Sequence, residues 1–155
     1  MNFGLTDEQE MIVKTVRDFV ETEIYPHEDE VERTGFVPPE LGQEIARKCK
    51  EIGFFGCNFP ENVGGAGLDH TTFTLVEREL GRGSMGLTVF FGRPSGILMA
   101  CNDEQREKYL LPAVKGDKFD ALAMTEPDAG SDVRGMKCFA RQDGDDWVVN
   151  RSEEH

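Results

Sequence analysis

The chain has 155 residues, enough for one good core or for one domain and part of a second. Its 17 basic and 30 acidic side chains leave a net charge of −13, a surface that repels phosphate backbones and anionic lipid, so neither nucleic acid nor membrane is expected as a partner. No apolar run is long enough to span a bilayer, and Met1-Asn2-Phe3-Gly4-Leu5 leads straight into a helix signal instead of a secretory leader, which points to a cytoplasmic protein.

Cys49, Cys57, Cys101 and Cys138 show no Cys-x-x-Cys spacing, and His27, His70 and His155 pair neither with one another nor with the cysteines. No metal site is expected, and the cysteines read as reduced, mostly buried small hydrophobes. Thr6-Asp7-Glu8-Gln9 has the form of a capping box. Behind it Ile12, Val16, Phe19, Val20 and Ile24 recur at helical spacing, which predicts an amphipathic helix from about residue 7 to 24. Pro26 should end or bend that helix, and the acidic segment from His27 to Arg33 can add one or two solvated turns.

Pro38-Pro39 opens a second helix whose stripe is Leu41, Ile45, Cys49 and Ile52, with Gly53 at a left-handed C-cap position. The stretch "FFGCNFPENVGGAGLDH" is a loop by its Gly, Pro and Asn content. Its Gly64-Gly65-Ala66-Gly67 run lacks the Lys-Ser/Thr of a nucleotide-triphosphate loop and the strand that precedes a dinucleotide fingerprint, so the case for phosphate there is weak. Asp69 caps the next helix, which buries Phe73, Val76 and Leu80, leaves Glu77 and Glu79 solvated, and ends at Gly81 or Gly83. "MGLTVFFGRPSGILMAC" is nearly all apolar and predicts a helix in the middle of a bundle, broken between Gly92 and Pro94. A second capping box, Asn102-Asp103-Glu104-Gln105, leads a helix through Tyr109 and Leu110 that closes around Gly116.

After Gly116 the period changes. Phe119 to Met124 is short and apolar and reads as a buried strand. Met136 to Arg141 and Trp147-Val148-Val149, joined by a tight Asp143-Gly144 turn, read as a hairpin with Trp147 packing on the bundle. Two or three strands do not make a stable sheet, so the sheet is expected to be completed by a partner chain or by the remainder of a longer protein.

Between these strands lies "AMTEPDAGSD", residues 123–132. Pro127 fixes one backbone angle, and Gly130 is expected to take a conformation that other residues avoid. Such a turn can aim several N–H groups and the hydroxyls of Thr125 and Ser131 at one spot, holding a polar ring edge or a phosphate without using charge. The same residues also suit an ordinary strand-to-loop turn.

"AMTEPDAGSDV" resembles the signature of the acyl-CoA dehydrogenase family, flavoproteins that desaturate acyl-CoA thioesters. "LTDEQEMIVKTVRDFVETEIYPH", "FPENVGGAGLDHTTFTLVERELGR" and "NDEQREKYLLPAVKG" resemble that family's first helix, its Pro/Gly-rich loop with the following helix, and the last helix before its middle β domain. The resemblance runs in family order as far as Asn150. It implies a mainly α fold, with an N-terminal helical bundle at 1–117 followed by the first strands of an incomplete β domain at 118–150.

The resemblance also implies FAD as cofactor, met by the main chain of Leu122, Ala123 and Met124, the hydroxyl of Thr125, Gly130 and Ser131. Ser131 would reach the CoA portion of an acyl-CoA substrate, and Phe91, Ser95, Leu98 and Met99 would wall the acyl pocket. The implied reaction takes a proton alpha to the thioester carbonyl, passes a hydride from the beta carbon to flavin N5, and hands the electrons to an electron-transferring flavoprotein, in a homo-oligomer that is a tetramer in the family. The family's glutamate base lies far along a C-terminal domain without counterpart here, so no catalytic residue is assigned. Glu126 is expected to be a structural part of the turn.

Beyond Asn150 the family pattern continues with glycine and a strand, whereas this chain reads Arg151-Ser152-Glu153-Glu154-His155, an atypical tail. The chain is therefore expected to be the N-terminal portion of such an enzyme and catalytically incompetent when isolated, with FAD expected for the full-length parent. The alternative is a non-catalytic helical interaction module.

Overall fold

The computed structural model describes residues 4–151. Met1-Asn2-Phe3 and residues 152–155, most of the expected tail, therefore lie outside the described residues. The capping box forms as read: the Gln9 N–H donates to the Thr6 hydroxyl at 3.2 Å and the Thr6 N–H to the Gln9 side chain at 3.1 Å, starting α1, Asp7–Phe19. Pro26 does not end the helical path. A five-residue π-helical turn, Val20–Ile24, carries the chain into α2, Tyr25–Thr34, where Pro26 sits in the first turn and its missing N–H does no harm.

α3, Pro39–Glu51, buries Ile45 and Cys49, while Ile52, expected in the same stripe, is exposed. The Asp69 carboxylate accepts from the N–H groups of Thr71 and Thr72 to start α4, His70–Leu80. Val16, Phe19 and Val20 of α1 and its π extension meet Ile45 and Cys49 of α3 and Val76 and Leu80 of α4 in one core cluster. Apolar stripes on successive helices thus find one another, and burial of this surface is the main favourable term for the unit.

Two expectations in this unit need correction. Glu79, read as solvated, is only 2% exposed; Arg17 of α1 forks onto it at 2.9 and 3.2 Å, and Arg78 approaches to 2.8 Å. The Arg17 hydrogen bond, opposed by burial and assisted by Arg78, holds its carboxyl below the usual range. Glu77, read as solvated with it, is half-buried and faces Arg93 at 3.2 Å.

The apolar run from Met85 is not one bundle helix either. It breaks into α5, Met85–Thr88, and two 3₁₀ turns, Val89–Phe91 and Gly96–Ala100, of which the second buries no residue fully. Gly92 between them has φ 77°, and a Cβ there would fall 2.1 Å from the Phe55 ring, so the chain turns where only glycine fits. Leu87 and Phe91, four residues apart, are buried, while Met85, Val89, Ile97 and Met99 face outward. The second capping box holds, and α6, Asp103–Gln105, continues through a π turn, Arg106–Leu110, into α7, Leu111–Lys115, ending at left-handed Gly116.

By packing of the main chain, the molecule separates after Asp120 into two compact units. The predicted strand from Phe119 to Met124 does not form: Leu122 is 71% exposed, and the segment pairs with no strand among the described residues. A single antiparallel pair follows, β1, Ala140–Asp143, and β2, Asp146–Val149, in the register Ala140↔Val149 to Asp143↔Asp146. The turn centres on Gly144-Asp145, one residue later than read, with left-handed Gly144 in first place, as a two-residue hairpin of the II′ kind requires. Trp147, expected against the bundle, is 64% exposed.

Candidate functional site

The turn at the centre of "AMTEPDAGSD" is closed by main chain alone. Glu126 and Ala129 exchange two hydrogen bonds, N–H to O at 3.0 and 3.1 Å, with Pro127 and Asp128 at the corners. Pro127 supplies the fixed φ favoured at the first corner, and neither corner has a positive φ. Leu122, Ala123, Met124, Thr125, Gly130 and Ser131 are all exposed, whereas Ala129 is buried beneath the turn. Asp132 then accepts from the Arg134 N–H and starts a 3₁₀ turn, Val133–Gly135.

Gly130 corrects the sequence reading in an informative way. It does not adopt a positive φ, and a Cβ placed on it would meet nothing within 4 Å. The local backbone therefore tolerates other residues. What glycine provides is open space next to the exposed Ser131.

Glu126 is a brace. Its Oε2 accepts from the Lys137 N–H at 2.7 Å and its Oε1 from the Cys138 N–H at 2.9 Å, while Arg151 Nη1 lies 3.6 Å from Oε1. The two N–H donors, more than the cations nearby, hold its carboxyl below the usual range. A carboxylate stabilised in this way is a poor proton acceptor, which fits the structural part expected of it. Arg151, a departure from the family pattern, donates from Nη2 to the Thr125 carbonyl at 2.6 Å, a contact that no spacing in the sequence announces.

The remaining site residues belong to the first unit. Phe91 is fully buried, edge-on to Phe19 at 5.4 Å and 6.0 Å from Phe54, so it can support a pocket wall only from behind. Ser95 is half-buried, and its main-chain N–H donates to Asp120 at 3.0 Å, a contact that no spacing in the sequence announced. Leu98 packs on the cluster of Phe59, Val63, Leu110 and Val114, and Met99 is 47% exposed.

Cys49 and Cys57 are buried, and burial pushes both thiols up, Cys57 to about 11; Cys101 is half-buried and Cys138 exposed. Among the described residues no group of His, Cys, Asp and Glu could hold a metal ion, and no helix is long and apolar enough to cross a membrane.

Residues 6–117 match the family model described as the acyl-CoA dehydrogenase N-terminal domain. The chain belongs to the acyl-CoA dehydrogenase family. It is similar to the caffeyl-CoA reductase-Etf complex subunit CarC of Acetobacterium woodii, 38% identical over 94% of this chain and 39% of that protein. Among solved structures, it resembles a glutaryl-coenzyme A dehydrogenase in complex with glutaryl-CoA, at TM-score 0.80 and 34% identity over 97% of this chain and 39% of the other. It also resembles an acyl-CoA dehydrogenase of Bacillus anthracis complexed with FAD, at TM-score 0.77 and 30% identity, covering 95% of this chain and 26% of that one. The chain thus spans well under half the length of the curated relatives it matches.

Proposed function

We propose that this chain supplies the helical N-terminal part and the flavin-facing turn of an FAD-dependent acyl-CoA dehydrogenase, and that the 155-residue chain does not turn over on its own. The observation that carries this reading is the exposed, main-chain-closed turn with open space at Gly130 and the exposed residues Thr125 and Ser131 on either side. Those groups fit a planar, polar, uncharged ring edge: hydroxyl and peptide groups offer directional hydrogen bonds, and Gly130 leaves room for close approach.

FAD bound here would supply the two-electron acceptor for the hydride that leaves the beta carbon of the acyl-CoA. The chain's own residues would do the positioning. The main chain of Leu122 to Met124 and the Thr125 hydroxyl orient the ring edge, and the Ser131 hydroxyl orients the CoA portion. Ser95, Leu98 and Met99, backed by Phe91, line the acyl chain and exclude water. Glu126, already holding two N–H donors, does not take the alpha proton; that falls to a glutamate outside residues 4–151.

On this reading residues 1–117 form the helical domain and 118–150 begin the middle β domain. The electrons pass to an electron-transferring flavoprotein, a partner named in the CarC relative, and the family resemblance implies a homotetrameric parent. A cytoplasmic setting belongs to the same reading.

The test is a titration of the chain with FAD. Saturable quenching of flavin fluorescence is expected, weakened in T125A, with no dye reduction across a panel of acyl-CoA thioesters. Dye reduction would overturn the claim of incompetence. A chain that leaves flavin fluorescence unchanged and self-associates would favour the helical interaction module instead.

A further inference from the structure

The second unit has almost no core, yet two of its side chains are largely enclosed: Glu126 at 11% side-chain exposure and Arg151 at 17%. They join three segments that are distant in sequence. Glu126 belongs to the turn, takes the N–H groups of Lys137 and Cys138 ahead of β1, and faces Arg151, which follows β2. Arg151 in turn reaches the carbonyl of Thr125, the residue immediately before Glu126.

We infer that Arg151 and Glu126 form a clasp that sets the Thr125–Ser131 turn before any ligand arrives, making Arg151 a positioning residue for the Thr125 hydroxyl. The inference rests on the reading of this turn as flavin-facing. One guanidinium nitrogen holds the Thr125 carbonyl and the other faces the next residue's carboxylate, so both ends of the 125–126 peptide are tied to one rigid, planar group. Fixing that peptide plane fixes the position of the Thr125 Cα, so its hydroxyl has less freedom to lose when a ligand binds. It also occupies the Thr125 carbonyl, so within the turn the ligand meets the Thr125 and Ser131 hydroxyls and the open side at Gly130. Preorganisation of this kind removes an ordering cost that binding would otherwise carry. A lysine at 151 could satisfy one of the two acceptors but not both in the same geometry.

Two readouts on the full chain test the clasp: hydrogen exchange at the Lys137 and Cys138 amides, and FAD affinity by fluorescence titration. R151A is expected to speed exchange at both amides by about tenfold and to weaken FAD binding by about tenfold, as for one charge-assisted hydrogen bond lost. R151K should recover part of each effect. R141A, which removes a similar charge from β1, should change neither. The clasp is overturned if R151A leaves exchange at both amides at the wild-type rate, whatever happens to FAD. Faster exchange in a chain that binds no FAD at all would uphold the clasp and overturn the flavin reading instead.

Discussion

The helical unit and the unit beyond Asp120 use similar apolar residues in opposite ways. In the first, Val16, Val20, Ile24, Cys49, Val76, Leu87 and Phe91 have no exposed surface. In the second, Ala129 is the one buried residue among those described, while Leu122, Phe139, Trp147 and Val149 are each more than half exposed. A helix closes its own backbone hydrogen bonds, and its apolar stripe needs only a neighbouring stripe. A strand must borrow both hydrogen bonds and a covering layer from elsewhere. The first unit is therefore held by burial, and the second by turns, a hairpin and a charged clasp.

Core deletion should break this comparison most visibly if it is wrong. F91A removes a fully buried ring from between Phe19 and Phe54 and is expected to cost about 3–5 kcal/mol in urea denaturation followed by helical circular dichroism. W147A removes a larger but mostly exposed ring and should stay within about 0.5 kcal/mol. Similar losses for the two would mean that Trp147 is part of the core that the helices share.

Smaller, and specific to charge, is the effect expected at Glu79. Its folded pKa lies below the ordinary value, so it stabilises the fold above the unfolded pKa of about 4.3 and loses that contribution as pH falls through the depressed folded value. The melting temperature should accordingly drop on acidification in this range. E79Q should flatten that limb, and R17A should lower the melting temperature at neutral pH more than R78A, because Arg17 provides the two-pronged contact from another helix. An acid limb identical in wild type and E79Q would remove Glu79 from the account.

The same contrast explains what could be read from the sequence. Thr6, Asp69 and Asn102 announce their helices because capping is settled within three residues, and the structure places all three as caps. Phe119 to Met124 misleads because its composition suits a strand while the pairing that makes one is non-local. Glu79 misleads because Arg17, the cation that reaches it from another helix, is 62 residues away in the chain. The "TEPDAGSD" turn was legible as a motif; its bracing by Lys137, Cys138 and Arg151 was not, since those contacts depend on how the hairpin folds back.

Glycine at 130 sets the two kinds of constraint against each other with the smallest effect on stability. Where the helical unit needs glycine, as at Gly92, a side chain would strike the Phe55 ring within a left-handed backbone. At Gly130 the backbone is unstrained and the added methyl would point into open space. G130A should therefore leave the urea midpoint unchanged or raise it slightly, because alanine narrows the unfolded ensemble. If the opening is where a ring edge comes close to the chain, the same methyl will occupy that space, and FAD affinity should fall while Lys137 and Cys138 exchange stays at the wild-type rate. An affinity equal to wild type in G130A would show that the ligand approaches from another side of the turn, and the assignment of Gly130 to the cofactor would then fail.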